Sequence, residues 1–157
     1  MDAPTPVKPD IRIQHADFDV GAEIAAVSAG RADAGAVVSF TGLCRAEEGR
    51  LAALELEHYP GMAEAQVGRI ADQAVARWPL LALTVIHRVG RIAAGGNIVL
   101  VVAAATHRQA AFEAASFVMD FLKSEAPFWK KEHRRDGRAG GWVEAAHADE
   151  QALERWR

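Results

Sequence analysis

An α+β fold, with a largely antiparallel sheet and packed helices, is what two features of this chain predict. The candidate elements run strand, helix, two strands, helix, two strands, helix, then strands. That order lacks the regular strand–helix–strand alternation of a doubly wound parallel fold. A polar turn, Glu47-Glu48-Gly49-Arg50, separates two candidate strands and predicts that they pair antiparallel. The length of 157 residues suits one domain with its own core, and 50% hydrophobic with 25% charged residues is ordinary globular composition.

Residues 1–10, MDAPTPVKPD, hold three of the six prolines and predict a flexible extended tail ahead of a single domain over 11–157. The tail has no apolar core of the secretory type. Ile11 to Gln14 alternates and predicts a first strand. Asp19 suits an N-cap for a helix over Val20 to Ser28. After a loop from Gly30 to Gly35, the β-branched run Ala36 to Gly42 predicts a buried strand. Leu51 to Tyr59 alternates as a half-exposed strand, paired with the preceding one across the polar turn. Pro60 then opens a helix at its first turn. Met62, Ala65, Ile70, Ala74 and Val75 form its apolar stripe, and Pro79 stops it.

Leu83 to Val89 predicts a strand, Gly90 to Gly96 a connection, and Asn97 to Ala105 the most continuously apolar strand in the chain. A helix from about His107 to Ser124 follows, with a break at Pro127. Phe128 to His133 predicts a strand, Asp136 to Gly141 a turn, Gly141 to Glu144 a short return strand, and Asp149 to Trp156 a terminal helix. No repeat, low-complexity tract or linker interrupts the chain.

Composition narrows the function. A net charge of -3 gives no general attraction for nucleic acid or anionic membrane. The run Lys130 to Arg138 is the one hint of RNA contact, and Glu132 and Asp136 interrupt it. No apolar run reaches a membrane span. The single cysteine, Cys44, excludes an internal disulfide and fits a reducing, cytoplasmic setting. No base is signalled beside Cys44, so a small buried apolar role suits it better than nucleophilic catalysis. The histidines lack metal-ligand spacing, so no metal is expected, and the Gly90, Gly95, Gly96 pattern precedes a strand rather than a dinucleotide-binding helix.

The cations around the long helix carry the chemistry. His107 and Arg108 stand at its N-terminal end, where the macrodipole is already positive and free N–H groups favour an anion. The other reading is that both swing into solvent or pair with acids. Lys123 near the other end favours the dipole, which by itself explains it. Lys130 and Lys131 are adjacent on a strand and point to opposite faces, so at most one shares a pocket with Lys123. Trp129 suits the core better than a stacking role. Arg45, at a strand end after Gly42, suits a bidentate anion contact or the plain surface. His107 and Lys123 are sixteen residues apart, about 24 Å along one helix, too far to grip one small ligand. Either they serve separate sites, or a two-fold dimer completes each site from two chains.

Several blocks together resemble the catalytic (large) subunit family of molybdopterin synthase. They are Phe40 to Arg45, Leu56 to Met62, Val85 to Gly90, Thr106 to Arg108 with Ala111 to Ala114, Met119 to Lys123, Ala126 to Glu132, and Trp142 to Glu144. They keep the family's order and spacing from about Gly35 to Glu144. The resemblance implies an α/β-hammerhead-like α+β fold and a sulfurtransferase of molybdenum cofactor biosynthesis. Such an enzyme moves sulfur from the C-terminal Gly-Gly thiocarboxylate of a small ubiquitin-like subunit to cyclic pyranopterin monophosphate, forming the dithiolene of molybdopterin. It implies a homodimer of large subunits within a heterotetramer, and no cofactor.

By position, the resemblance makes Lys123 and Lys130 the catalytic lysines and Arg45, His107 and Arg108 substrate-anion contacts. Leu43, Cys44, Lys131 and Glu132 adjoin the same substrate-binding runs. Leu43 is apolar, so a backbone contact there would survive and a side-chain contact would not. The alternative is a non-catalytic module that binds a phosphorylated ligand or acidic peptide tail in the same cationic cleft.

Overall fold

The computed structural model describes residues 7–125, 128–137, 139–143 and 151–157. The expectations for the tail (1–6), the Pro127 break, Arg138, Glu144 and the start of the terminal helix lie outside the described residues.

Among the described residues, two four-stranded sheets and three main helices make up the fold. In chain order these are β1 (Asp10–Gln14), α1 (Val20–Ser28), β2 (Ala36–Leu43), β3 (Leu51–His58), α2 (Met62–Arg77) and β4 (Leu80–Arg88). Then come β5 (Gly90–Ala93), β6 (Asn97–Ala105), α3 (Arg108–Ser124), β7 (Phe128–Arg134) and β8 (Ala139–Val143), with a closing 3₁₀ turn at Glu154–Trp156. The first sheet has the order β1-β4-β6-β2 and the second β5-β3-β7-β8. β1 lies parallel to β4, and the other pairs are antiparallel. The α+β expectation with a largely antiparallel sheet is the architecture observed.

The continuous apolar run of β6 is explained by cover on both faces. Val99, Val101, Ala103 and Ala105 enter the core beneath α2 and α3, with Phe117 and Ile70. Leu100, Val102 and Ala104 enter the core beneath α1, with Phe18 and Val27. Period-two alternation thus divides one strand between two cores. α3 presents Ala111, Ala114, Ala115, Phe117, Val118, Met119 and Leu122 to the sheet. Fully burying Phe117 alone contributes about 1.5–3 kcal/mol. Asp19 caps α1 by accepting from the Ala22 N–H at 3.0 Å. At the chain's end, Trp156 seats edge-on against Trp78 and Phe117 and donates to Asp120 of α3 at 2.6 Å.

Several local expectations are corrected. β3 does not pair with β2. β2 pairs with β6 in the first sheet, and β3 lies between β5 and β7 in the second. The turn at 47–50, with positive φ at Glu47, Glu48 and Gly49, therefore carries the chain from one sheet to the other instead of closing a hairpin. β2 is an edge strand with Ser39 and Phe40 exposed, not a buried one. Pro60 stands outside α2, whose N-cap is Gly61 at φ 84. The true stripe of α2 is Ala63, Val67, Ile70, Ala71 and Ala74, while Met62 and Ala65 are exposed. The glycine-bearing connection contains the short strand β5, and Trp129 is 42% exposed, edge-on to Tyr59, rather than in the core.

Candidate active site

Strand β7 carries the centre of the site. Its register against β3 sets Phe128 opposite His58, Lys130 opposite Leu56 and Glu132 opposite Leu54. Alternation puts Phe128, Lys130 and Glu132 on one face and Trp129 and Lys131 on the other. Leu56 is buried with Cys44, Leu51 and Ile92 in a small cluster inside the second sheet, so Lys130 stands on the inward side. Lys131, opposite Glu55, is turned away from it. Glu132 lines a surface hollow with Arg50, Arg134 and Arg135.

Lys123 arrives from a different element. It lies in the last turn of α3 and is exposed. Between the two elements lies His87 on β4, which is 6% exposed and feels the charge of both lysines. Burial pushes its imidazole down to about 4. The Arg88 carbonyl opposes that shift, and the charges of Lys130, Lys123 and His58 add to it. Nδ1 of His87 lies 2.8 Å from the Arg88 carbonyl oxygen. A carbonyl only accepts, so Nδ1 carries the proton and Nε2 is the acceptor. The His87 ring lies flat on Phe128, centroids 3.9 Å apart and planes 8° from parallel. His58 stands on Phe128 as well, at 6.5 Å, with Glu64 3.8 Å from its Nε2. Phe128 thus joins His58 and His87 by ring contact, and the charges of Lys123 and Lys130 reach His87.

His58, His87 and Phe128 escaped the sequence reading as site residues. All three stand in blocks that carry the family resemblance, but the histidines lack metal-ligand spacing and Phe128 reads as part of a strand. The signal available was a histidine in the apolar run of β4.

Within the segment Leu43–Arg45, Cys44 reaches the apolar cluster around Leu56. Cys44 packs beside Leu56, and its N–H donates to Gly96 while its carbonyl accepts from Gly95. Both backbone groups and the side chain of Cys44 are therefore already engaged in the fold. Burial pushes its thiol up, which suits the apolar role and not a nucleophile. Leu43 and Arg45 flank it, both exposed.

His107 and Arg108 are not brought to this cluster. His107 is the N-cap of α3 without a side-chain cap bond, and the first turn holds no acid. Both side chains are exposed, beside a hollow that Gln109, Phe112 and Glu113 also line. Glu113 is engaged by Trp78 at 2.7 Å and by Gln109 at 3.2 Å. The helix is unbroken from Arg108 to Ser124, so its two cationic ends stay about 24 Å apart. Among the described residues, no group of three or more His, Cys, Asp or Glu side chains could hold a metal ion.

Comparison with known proteins bears on this arrangement. The sequence model of the MoaE protein family matches residues 13–125. A Mesorhizobium japonicum protein named molybdopterin synthase catalytic subunit is 72% identical over 149 residues, covering 95% of this chain and 94% of that one. The solved molybdopterin biosynthesis MoaE protein of Burkholderia ambifaria superposes with a TM-score of 0.80 at 48% identity, covering 94% and 97% of the two chains. Molybdopterin synthase from Staphylococcus aureus superposes with a TM-score of 0.74 at 29% identity, over 84% and 95%.

Proposed function

The chain belongs to the MoaE protein family and works as a molybdopterin synthase catalytic subunit, a sulfur-transferring enzyme; from that premise we propose how its residues divide the work. Lys130 is the residue in direct contact with the transferring group, either in proton exchange or through the carbonyl carbon that carries the sulfur. Lys123 acts beside it. What supports this assignment is the place of Lys130 on the inward face of β7, opposite buried Leu56, with the charges of both lysines felt at buried His87.

The chemistry needs such a pair. Replacing C–O bonds with C–S bonds on cyclic pyranopterin monophosphate requires protons for the departing oxygens, and ammonium groups held at the reacting centre deliver them. The phosphate needs fixed positive charge, which Arg45 and Arg108 supply, with His107 as a ring N–H donor beside them. Since His107 and Arg108 sit at the far end of α3, they serve the site of a second large subunit, and a two-fold dimer completes both sites at once.

A catalytic subunit works with another subunit, and we propose that its partner is small and ubiquitin-like, with a C-terminal Gly-Gly thiocarboxylate that brings the sulfur. The assembly is then a heterotetramer built on the large-subunit dimer. Residues 11–157 act as one domain within it. Among the described residues, no helix is long and apolar enough to cross a membrane, and we place the reaction in the cytoplasm with its soluble substrate.

The test is incubation with cyclic pyranopterin monophosphate and the thiocarboxylated small subunit, followed by assay for molybdopterin. Product formation that needs both components is expected. Failure with a confirmed cognate partner would sink the reading.

A further inference from the structure

We infer that His87 is a positioning residue for this sulfur transfer: by stacking on Phe128 it joins the two sheets at the site and sets the spacing between Lys123 and Lys130. The inference rests on the functional reading above.

The two lysines belong to separate parts of the fold. Lys123 rides on α3, which packs on the first sheet. Lys130 is on β7, whose ladder partners, β3 and β8, are both in the second sheet. Among the described residues, no backbone ladder fixes one lysine against the other. Besides the chain between them, a side-chain stack connects the two parts. Phe128 lies two residues before Lys130 on the same face of β7 and packs against the core beneath the helices. The plate beneath it is His87 of the first sheet, at 3.9 Å and 8°. The plate is itself held by Nδ1 against the Arg88 carbonyl at 2.8 Å. A shift of Phe128 is passed to Lys130 through the single residue between them. Misplacing a reacting group by about 1 Å can cost on the order of 10²-fold in rate.

The choice of imidazole follows from its surroundings. The groups facing it are Lys130 of β7, Lys123 of α3 and His58 of β3, with Arg88 next on its own strand. A ring that stays neutral there offers a flat surface without a further positive charge. A phenyl ring would offer the surface but leave the Arg88 carbonyl without its donor.

The experiment uses the assembled complex with its thiocarboxylated small subunit. Wild type is compared with His87→Ala, Phe128→Ala, the double variant and His87→Phe. His87→Ala is expected to lower kcat by about 10- to 100-fold, with KM for the pterin substrate changed less than about threefold. The double variant should be no slower than the slower single one, because both break one stack. His87→Phe should recover most of the lost rate, with an unshifted pH–rate profile. Should His87→Ala fail to fold, His87→Gln, which can donate but offers no ring, is expected to show the same loss.

Additive losses in the double variant, no rescue by phenylalanine, or an unchanged kcat in His87→Ala would each overturn the proposal. A readout independent of turnover is the ¹⁵N spectrum of His87, expected to show a neutral ring protonated at Nδ1 from pH 5.5 to 8, values taken as roughly spanning the ordinary histidine range. A charged ring in that range overturns it as well. A wild-type complex that makes no product counts instead against the functional reading.

Discussion

Lys130 stands directly across the β3–β7 ladder from Leu56, a side chain only 1% exposed. The pairing sets the lysine side chain on the inward face beside an apolar cluster, an amphipathic arrangement that suits a reacting group. Replacing Lys130 by alanine should leave the fold and the small-subunit affinity intact. It should lower molybdopterin formation by at least about 10²-fold, the scale of a lost acid–base group. Product assay and titration calorimetry on the same preparations check this. Weakened binding with no turnover in the parent chain would support the non-catalytic module instead.

The separation of the helix ends makes a second prediction. A Lys130→Ala chain and an Arg108→Ala chain are each expected to be nearly inactive alone. If Arg108 serves the neighbour's pocket, a heterodimer of the two carries one intact site and one site lacking both groups. Statistical exchange then yields heterodimers in half the population, restoring about a quarter of wild-type activity. A site built within one chain gives no recovery on mixing. Activity measured after co-refolding or co-expression decides between them.

Buried His87 sets a pH dependence of stability. Its folded value of about 4 lies below its ordinary 6.5, so between those two values the unfolded chain binds more protons than the folded one. Stability therefore rises with pH across that window. Going down, it falls from about pH 6.5 and levels off below about pH 4, with a total loss of roughly 3 kcal/mol from this group. Urea unfolding midpoints for wild type and His87→Phe between pH 4 and pH 7 test it. The phenylalanine variant should lose this part of the slope.

What the sequence disclosed was local or periodic. The bounds of β6 are legible because eight apolar residues follow Asn97 without polar interruption, and those of α1 because Asp19 caps it. Pairing was harder. The turn at 47–50 looked like a hairpin because its residues suit a reversal, and nothing local says that the strand it feeds joins another sheet. The site followed the same division. Lys123 and Lys130 came from position in a family pattern, and their opposite-face relation to Lys131 from strand geometry. His87 and Phe128 meet across 41 positions of sequence, and only the tertiary fold brings β4 beneath β7.

The entry to α3 depends on a glycine in the same non-local way. A Cβ on Gly35 would sit 2.1 Å from the Thr106 carbonyl oxygen, while the Gly35 N–H donates to Ala105 at 3.0 Å. The obstacle is backbone, so no side-chain rotation relieves it. Gly35→Ala must push the 105–106 segment away, and that segment leads directly into His107 and Arg108. The cost to stability should be about 1–3 kcal/mol, the usual scale of overpacking, visible as a lower urea midpoint. Displaced anion contacts should also raise KM for the phosphate-bearing substrate more than they lower kcat, because Lys123 and Lys130 lie at the other end of the helix. An unchanged midpoint would mean that the loop before β2 yields freely. A fall in kcat at constant KM would mean that His107 and Arg108 take no part in holding the substrate.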